Sequence, residues 1–160
     1  MIITEVFDDE RKAKVTREIL EALPDWFAVK ESREQYIKES AGQHFFAAFE
    51  NERAVGFLYL KETGKDTVGL HVMGVRKEFH RMGLGRELFA LAKETATRLG
   101  YSFMQVKTVQ MGKYPDYDDT NRFYLSLGFK EFEVFPTLWD EDNPCQVYVM
   151  ALGELQFAHQ

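Results

Sequence analysis

HVMGVRKEFHRMGLGRELFALAKETATRLG, residues His71 to Gly100, decides the reading of this chain: an apolar strand passes through a basic, glycine-punctuated turn straight into a long helix. Gly83 and Gly85 carry no side chain, so the backbone there can curl tightly and approach a ligand. The first N–H groups of a helix have no partner within it, and the helix dipole adds roughly half a positive charge at that end. With Arg76, Lys77, Arg81 and Arg86 around the turn, an anion is the expected occupant.

Two common nucleotide cradles are excluded. A dinucleotide fingerprint needs a third glycine where Leu88 stands, and an acidic residue about 20 positions further on that is not there. A P-loop needs Gly-Lys followed by Ser or Thr, whereas Gly112-Lys113 runs on into Tyr114-Pro115.

The segment from Val75 to Gly85 resembles the acetyl-CoA-binding motif of the GNAT N-acetyltransferase superfamily, Gln/Arg-x-x-Gly-x-Gly/Ala, here His80-Arg81-Met82-Gly83-Leu84-Gly85. His80 stands where Gln or Arg is usual. A second piece of the family pattern, Tyr followed by x-x-x-Gly-Phe, occurs in the family order at Tyr124-Leu-Ser-Leu-Gly128-Phe129. The resemblance extends over roughly Met1 to Leu152 and is weakest in the first fifty residues.

Composition sets outer bounds. A chain of 160 residues with 45% apolar content suits a single domain over 1–160, with no linker or repeat. A net charge of −6 speaks against a nucleic-acid surface, so the basic cluster suits one phosphorylated small ligand. The single cysteine, Cys145, excludes an intrachain disulfide, and His44, His71, His80 and His159 show no zinc-ligand spacing, so no metal is expected. No run approaches the roughly 18 apolar residues of a membrane span. The N-terminal MIITEVFDDERK lacks the apolar core of a signal peptide, and a soluble protein in a reducing cytoplasm is the default expectation.

Periodicity fills in the rest. A strand at Ile2 to Phe7 precedes a helix with apolar positions Val15, Ile19, Leu20 and Leu23, capped by Asp8-Asp9 and ended by Pro24. Ser32 and Gln35 have capping-box spacing, which predicts a second helix from Ser32. Strands follow at His44–Phe49, Ala54–Lys61 and Thr67–Val75. The long helix presents Leu84, Leu88, Leu91, Ala92, Thr95 and Leu99 on one face and leads to a strand at 102–109 parallel to the one before it. Residues 111–119 read as a loop and 120–127 as a short helix, before strands at 130–135 and 146–152 joined by an acidic turn at 139–144. The fold class is α+β: a mixed, mostly antiparallel central sheet with helices on both faces, as the GNAT-like acyl-CoA N-acyltransferase fold implies.

Acyl transfer from a thioester needs a held donor, an uncharged amine, a stabilised oxyanion and a proton for the leaving thiolate. The resemblance assigns the diphosphate of acetyl-CoA to Arg81, Met82, Gly83, Leu84, Gly85 and Arg86, and its pantetheine arm and thioester to the backbone of Met73 and Val75. It assigns the general acid to Tyr124; the competing reading is a core aromatic. Many members carry an Asn seven residues before that Tyr. Tyr117 stands there instead, Asn121 is out of register, and that contact is not carried over.

His71 lies twelve residues before Gly83, a spacing at which the arylalkylamine branch also has a histidine that relays the amine proton; a hydrogen-bonded core histidine is the other reading. Strand alternation places His71, Met73 and Val75 on one face. His80 reads as phosphate support and Cys145 as a structural thiol. The acceptor walls are expected from Trp26, Phe27 and Tyr36, from Tyr114 and Tyr117, and from Trp139 in the last turn. Acidic residues at 116–119 and 140–142 either steer a cationic amine or are simply solvated. The expected activity is acetylation of a primary amine of a small molecule in a ternary complex. The alternatives are peptide acetylation and a non-catalytic acyl-CoA-binding module. A homodimer is a further expectation, since members often pair through their last strands.

Overall fold

The structure is a computed structural model that describes residues 1–153; His159 and the end of the expected domain, 154–160, lie outside the described residues. Its strands are β1 (Ile2–Val6), β2 (His44–Glu50), β3 (Arg53–Gly64), β4 (Thr67–Val75), β5 (Phe103–Val109), β6 (Lys130–Asp140) and β7 (Asn143–Ala151). The helices among the described residues are α1 (Asp9–Glu21), α2 (Lys30–Glu39), α3 (Leu84–Arg98) and α4 (Pro115–Leu127), with one 3-10 turn at Lys77–Phe79. The strands form a mixed sheet in the order β1-β2-β3-β4-β5-β7-β6. Neighbours pair antiparallel at β1–β2, β2–β3, β5–β7 and β6–β7, whereas β4 and β5 pair parallel from Thr67 opposite Phe103 to Gly69 opposite Gln105. A parallel pair needs a crossover, and α3 supplies it.

Two compact units can be distinguished, Met1–Lys61 with Leu70–Thr95, and Glu62–Gly69 with the chain from Ala96 onward. In the first, Asp8 caps α1 by accepting from the Arg11 N–H at 3.1 Å. The apolar stripe of α1, Val15, Ile19, Leu20 and the following Leu23, packs with Phe45, Phe57, Tyr59 and Val72. Helices cover both faces of these strands. A Cβ on Gly74 would meet Ile19 and Leu23 of α1, and one on Gly56 would meet Leu88 of α3. The β2–β3 hairpin turns on Asn51 and Glu52, both with positive φ (49° and 71°), the conformation of a two-residue primed turn.

In the second unit, α4 starts with Pro115 in its first turn and ends at Gly128, whose φ of 106° is the left-handed cap that favours glycine. Asn121, wholly buried, ties this helix down: its Nδ2 donates to the Val109 carbonyl at 2.8 Å and the Tyr117 carbonyl at 2.7 Å, and its Oδ1 accepts from the Tyr148 hydroxyl. Replacing Asn121 by Ala strands the buried Tyr148 hydroxyl and is expected to remove about 1–3 kcal/mol of stability. Measured by urea unfolding, part of that loss should vanish in a Tyr148→Phe background, because the orphaned hydroxyl is then gone while the Val109 and Tyr117 carbonyls still lose their donor.

Four sequence expectations shift. The second helix starts at Lys30 behind Val29, with no side-chain cap, so the Ser32 capping box is not used. Residues 115–119 are the first turns of α4 and not loop. The strand expected to end at Phe135 continues to Asp140, which places Trp139 on β6 and not in a turn. Alternation along β4 also breaks. The His71 ring lies against Tyr59, while Gly74 faces Phe57 on that same side of β3, and Val75 Cγ2 lies beside Gly56 on the other. Three residues of β4 thus pass two of β3, which is what a bulge does. His71 and Val75 are therefore on opposite faces.

Candidate active site

The cradle is a turn followed by a helix start. Arg81 and Gly83 both take left-handed conformations, φ 64° and 81°, and between them Met82 is exposed. A Cβ on Gly83 would meet no atom within 4 Å, so what requires glycine there is backbone angle and not crowding. The hydrogen-bond ladder of α3 begins where the Glu87 N–H reaches the Gly83 carbonyl at 3.1 Å. The amides of Leu84 and Gly85 precede it, at the positive end of the helix dipole. Leu84 is buried and anchors the first turn, Gly85 is half-buried, and the Arg81 and Arg86 side chains are exposed.

The rest of the loop is pinned from beneath. Arg76 Nε donates to the Ala54 carbonyl at 2.8 Å and its N–H to the Val55 carbonyl at 2.9 Å, so this guanidinium braces β3. Lys77 Nζ lies 2.6 Å from Asp25 and 5.6 Å over the Trp26 ring. The four basic residues expected around an anion thus divide, with Arg76 and Lys77 serving the scaffold. His80 Nε2 donates to the Val75 carbonyl at 2.7 Å, and its ring is met edge-on by Trp26 at 5.8 Å. His80 therefore ties the turn to the end of β4. Met73 and Val75 are half-buried on that strand.

His71, also half-buried, sits in a nest of aromatic and charged groups. The Tyr36 ring meets it edge-on at 5.6 Å, Tyr59 lies tilted at 5.6 Å, and its Nε2 is 3.4 Å from a Glu39 carboxylate oxygen. The other oxygen of Glu39 accepts from Lys61. Phe27 packs edge-on against Tyr36 at 6.3 Å, so Phe27, Tyr36 and His71 are brought together, while Trp26 stands with His80. Glu39, Lys61 and Tyr59 are the members that sequence reasoning missed. The available signal was spacing: Glu39 follows Tyr36 by three on a helix, and Lys61 follows Tyr59 by two on a strand.

In the second unit Tyr124 is buried near the end of α4, edge-on to Phe129 at 5.9 Å and tilted to Tyr148 at 6.4 Å. Tyr114 is exposed at the N-cap of α4 and meets Tyr117 edge-on at 6.0 Å, and Trp139 is exposed on β6. Cys145 is a buried free thiol that burial pushes above its ordinary pKa, against a smaller opposing effect of Lys107. Among the described residues no group of His, Cys, Asp and Glu is placed to hold a metal ion, and no helix is long and apolar enough to cross a membrane.

Residues 5–129 match the model of the acetyltransferase (GNAT) family. A GNAT-family acetyltransferase structure from Desulfovibrio desulfuricans superposes with a TM-score of 0.81 at 19% identity, covering 95% of this chain and 99% of its own. An aminoglycoside 6′-N-acetyltransferase complexed with coenzyme A gives 0.75 at 19% identity, with 97% and 99% covered. The ribosomal-protein-S18-alanine N-acetyltransferase from Escherichia coli gives 0.75 at 15% identity, with 96% of each chain covered. At these identities the likeness is one of fold. No curated protein sequence matches the chain.

Proposed function

Because the chain belongs to the GNAT acetyltransferase family, we propose that it transfers the acetyl group of acetyl-CoA directly to a primary amine of a small molecule while both are bound. The observation that carries this reading is the left-handed turn at Arg81 and Gly83 feeding the start of α3. It offers main-chain donors, open space at Gly83 and an exposed guanidinium, the donor set a diphosphate requires. When bound, acetyl-CoA supplies an acyl group already activated as a thioester.

In this reading Arg81, Met82, Gly83, Leu84, Gly85 and Arg86 hold the diphosphate, and the main chain of Met73 and Val75 orients the thioester and stabilises charge on its oxygen. His71 takes a proton from the acceptor ammonium, and the Tyr124 hydroxyl gives one to the departing sulfur. Trp26, Phe27 and Tyr36, with Tyr114, Tyr117 and Trp139, are assigned to the acceptor. Half-buried rings at the first three positions favour a compact amine over an extended peptide. The buried thiol of Cys145, with its raised pKa, favours direct transfer over an acyl-enzyme. A reducing compartment fits that same free cysteine.

The test is thiol release from acetyl-CoA across a panel of small amines and N-terminal peptides. Turnover with amines supports the assignment; saturable binding without thiol release for any acceptor supports a silent module instead. Gly83→Val probes the cradle separately. A β-branched residue at φ 81° strains the turn by about 1–2 kcal/mol or more, and its side chain enters the open space before α3. By calorimetry, acetyl-CoA affinity should fall about tenfold or more, because the free variant relaxes out of the strained turn and must re-form it to bind. An unchanged affinity would remove this turn from the donor site.

A further inference from the structure

We infer that Glu39 is a positioning residue for His71: its carboxylate fixes the imidazole tautomer and balances the charge that the ring acquires on taking the acceptor's proton. The inference rests on the transfer reaction proposed above. It starts from a feature that the reaction alone does not require, a carboxylate on the last turn of α2 placed 3.4 Å from the Nε2 atom of a half-buried histidine on β4.

Among the described residues, α2 and β3 bring charged and titratable groups to the ring. From α2 come Glu39 and Tyr36, three residues apart and so on one helical face. From β3 come Tyr59 and Lys61, two residues apart and so on one face of the strand. The Tyr59 hydroxyl donates to the Tyr36 carbonyl at 2.7 Å, locking β3 to α2 across the ring. Rings from α2 and β3 and the Glu39 carboxylate thus hold the imidazole.

An ionised carboxylate only accepts, so its partner nitrogen must carry hydrogen. Nε2 then donates to Glu39, and Nδ1 keeps the lone pair for the incoming proton. Glu39 stays ionised: burial raises its pKa, but hydrogen bonds from Lys61 and His71 outweigh that and hold it below the ordinary value. The phenols beside the ring are not competing bases, since burial, aided by Glu39, pushes both Tyr36 and Tyr59 upward. Lys61 shares the carboxylate and limits how strongly it favours the imidazolium.

The proton count closes. The acceptor arrives as an ammonium and passes one proton to Nδ1, from which it leaves to solvent. The nitrogen bonds the acetyl carbon as the carbon–sulfur bond breaks, the sulfur takes the Tyr124 proton, and the second nitrogen proton restores the phenol through solvent. Acetamide, free thiol and one proton result.

The experiment follows the His71 imidazole by NMR against pH in the apo protein, beside kcat against pH with an accepted amine, for wild type, Glu39→Gln, Glu39→Asp and Lys61→Met. Removing the carboxylate should lower the His71 midpoint by roughly half to one pH unit and removing the ammonium should raise it, since each neighbouring charge acts on the imidazolium with its own sign. The acidic limb of kcat should move with the midpoint, kcat in Glu39→Gln should fall about tenfold or more with KM for the amine changing less, and Glu39→Asp should recover part. A merely structural role for Glu39 would not yield shifts of opposite sign. Thiol release with an unmoved midpoint in both Glu39→Gln and Lys61→Met would overturn the Glu39 assignment alone. No thiol release from wild type with any amine would overturn the underlying reaction, and the proton-transfer role with it.

Discussion

Tyr124→Phe should lower kcat by about two to four orders of magnitude and leave acetyl-CoA binding intact. The substitution removes one oxygen and keeps the ring that packs on Phe129 and Tyr148. Loss of a single hydroxyl typically changes stability by about 0.5–1.5 kcal/mol, and calorimetric binding by the folded variant separates a kinetic effect from unfolding. Tyr124→Ala would confuse the two, because emptying a buried ring removes about 3–5 kcal/mol. The measurement is steady-state thiol release with calorimetry on the same preparation. Full activity in the phenylalanine variant would reduce Tyr124 to a packing residue and leave proton delivery to water.

Gly74→Val should give a large loss of stability. A Cβ there falls 2.8 Å from Ile19 Cγ2 and 3.0 Å from Leu23 Cδ1, with Phe57 at 3.4 Å, all inside a core that cannot give way freely. Overpacking of this kind removes about 1–3 kcal/mol and occasionally more, which for a chain of this length lowers Tm by roughly 2–4 °C per kcal/mol. Trimming Ile19 to Ala should relieve part of the clash, so the double variant should be more stable than the two single losses sum to. A Gly74→Val protein with wild-type Tm would mean that α1 does not press on β4. The position matters for chemistry as well, since Gly74 lies between Met73 and Val75, the residues whose main chain is assigned to the thioester.

Much of the fold was legible because its signals are local. Leu84, Leu88, Ala92 and Thr95 form the buried stripe that their spacing predicts, although Leu99, expected with them, is exposed beyond the helix's last residue, Arg98. Residues 111–119 read as a loop, yet Pro115 sits in the first turn of α4, where its missing N–H removes nothing the helix needs. Ser32 matched a capping pattern, but Arg33 closes that helix start by donating its guanidinium to the Phe27 and Ala28 carbonyls. A one-residue bulge is invisible to alternation, which is why His71 was placed on the face of Val75.

The candidate site divides the same way. The turn at Arg81–Gly83 could be read from glycines and charge, whereas the Glu39–His71–Lys61 cluster joins residues that only the packing of α2 on β3 and β4 brings together. Arg76 and Lys77 show the converse. Their charge was plain in the sequence, but only the structure reveals that the Ala54 carbonyl and Asp25 engage them.

The central claim, that the turn before α3 grips the diphosphate of acetyl-CoA, is tested most directly by titrating the folded protein with CoA and acetyl-CoA in a calorimeter. The account predicts saturable heat with both ligands, weakened alike by Gly83→Val. Absence of heat at millimolar ligand with folded protein would contradict it.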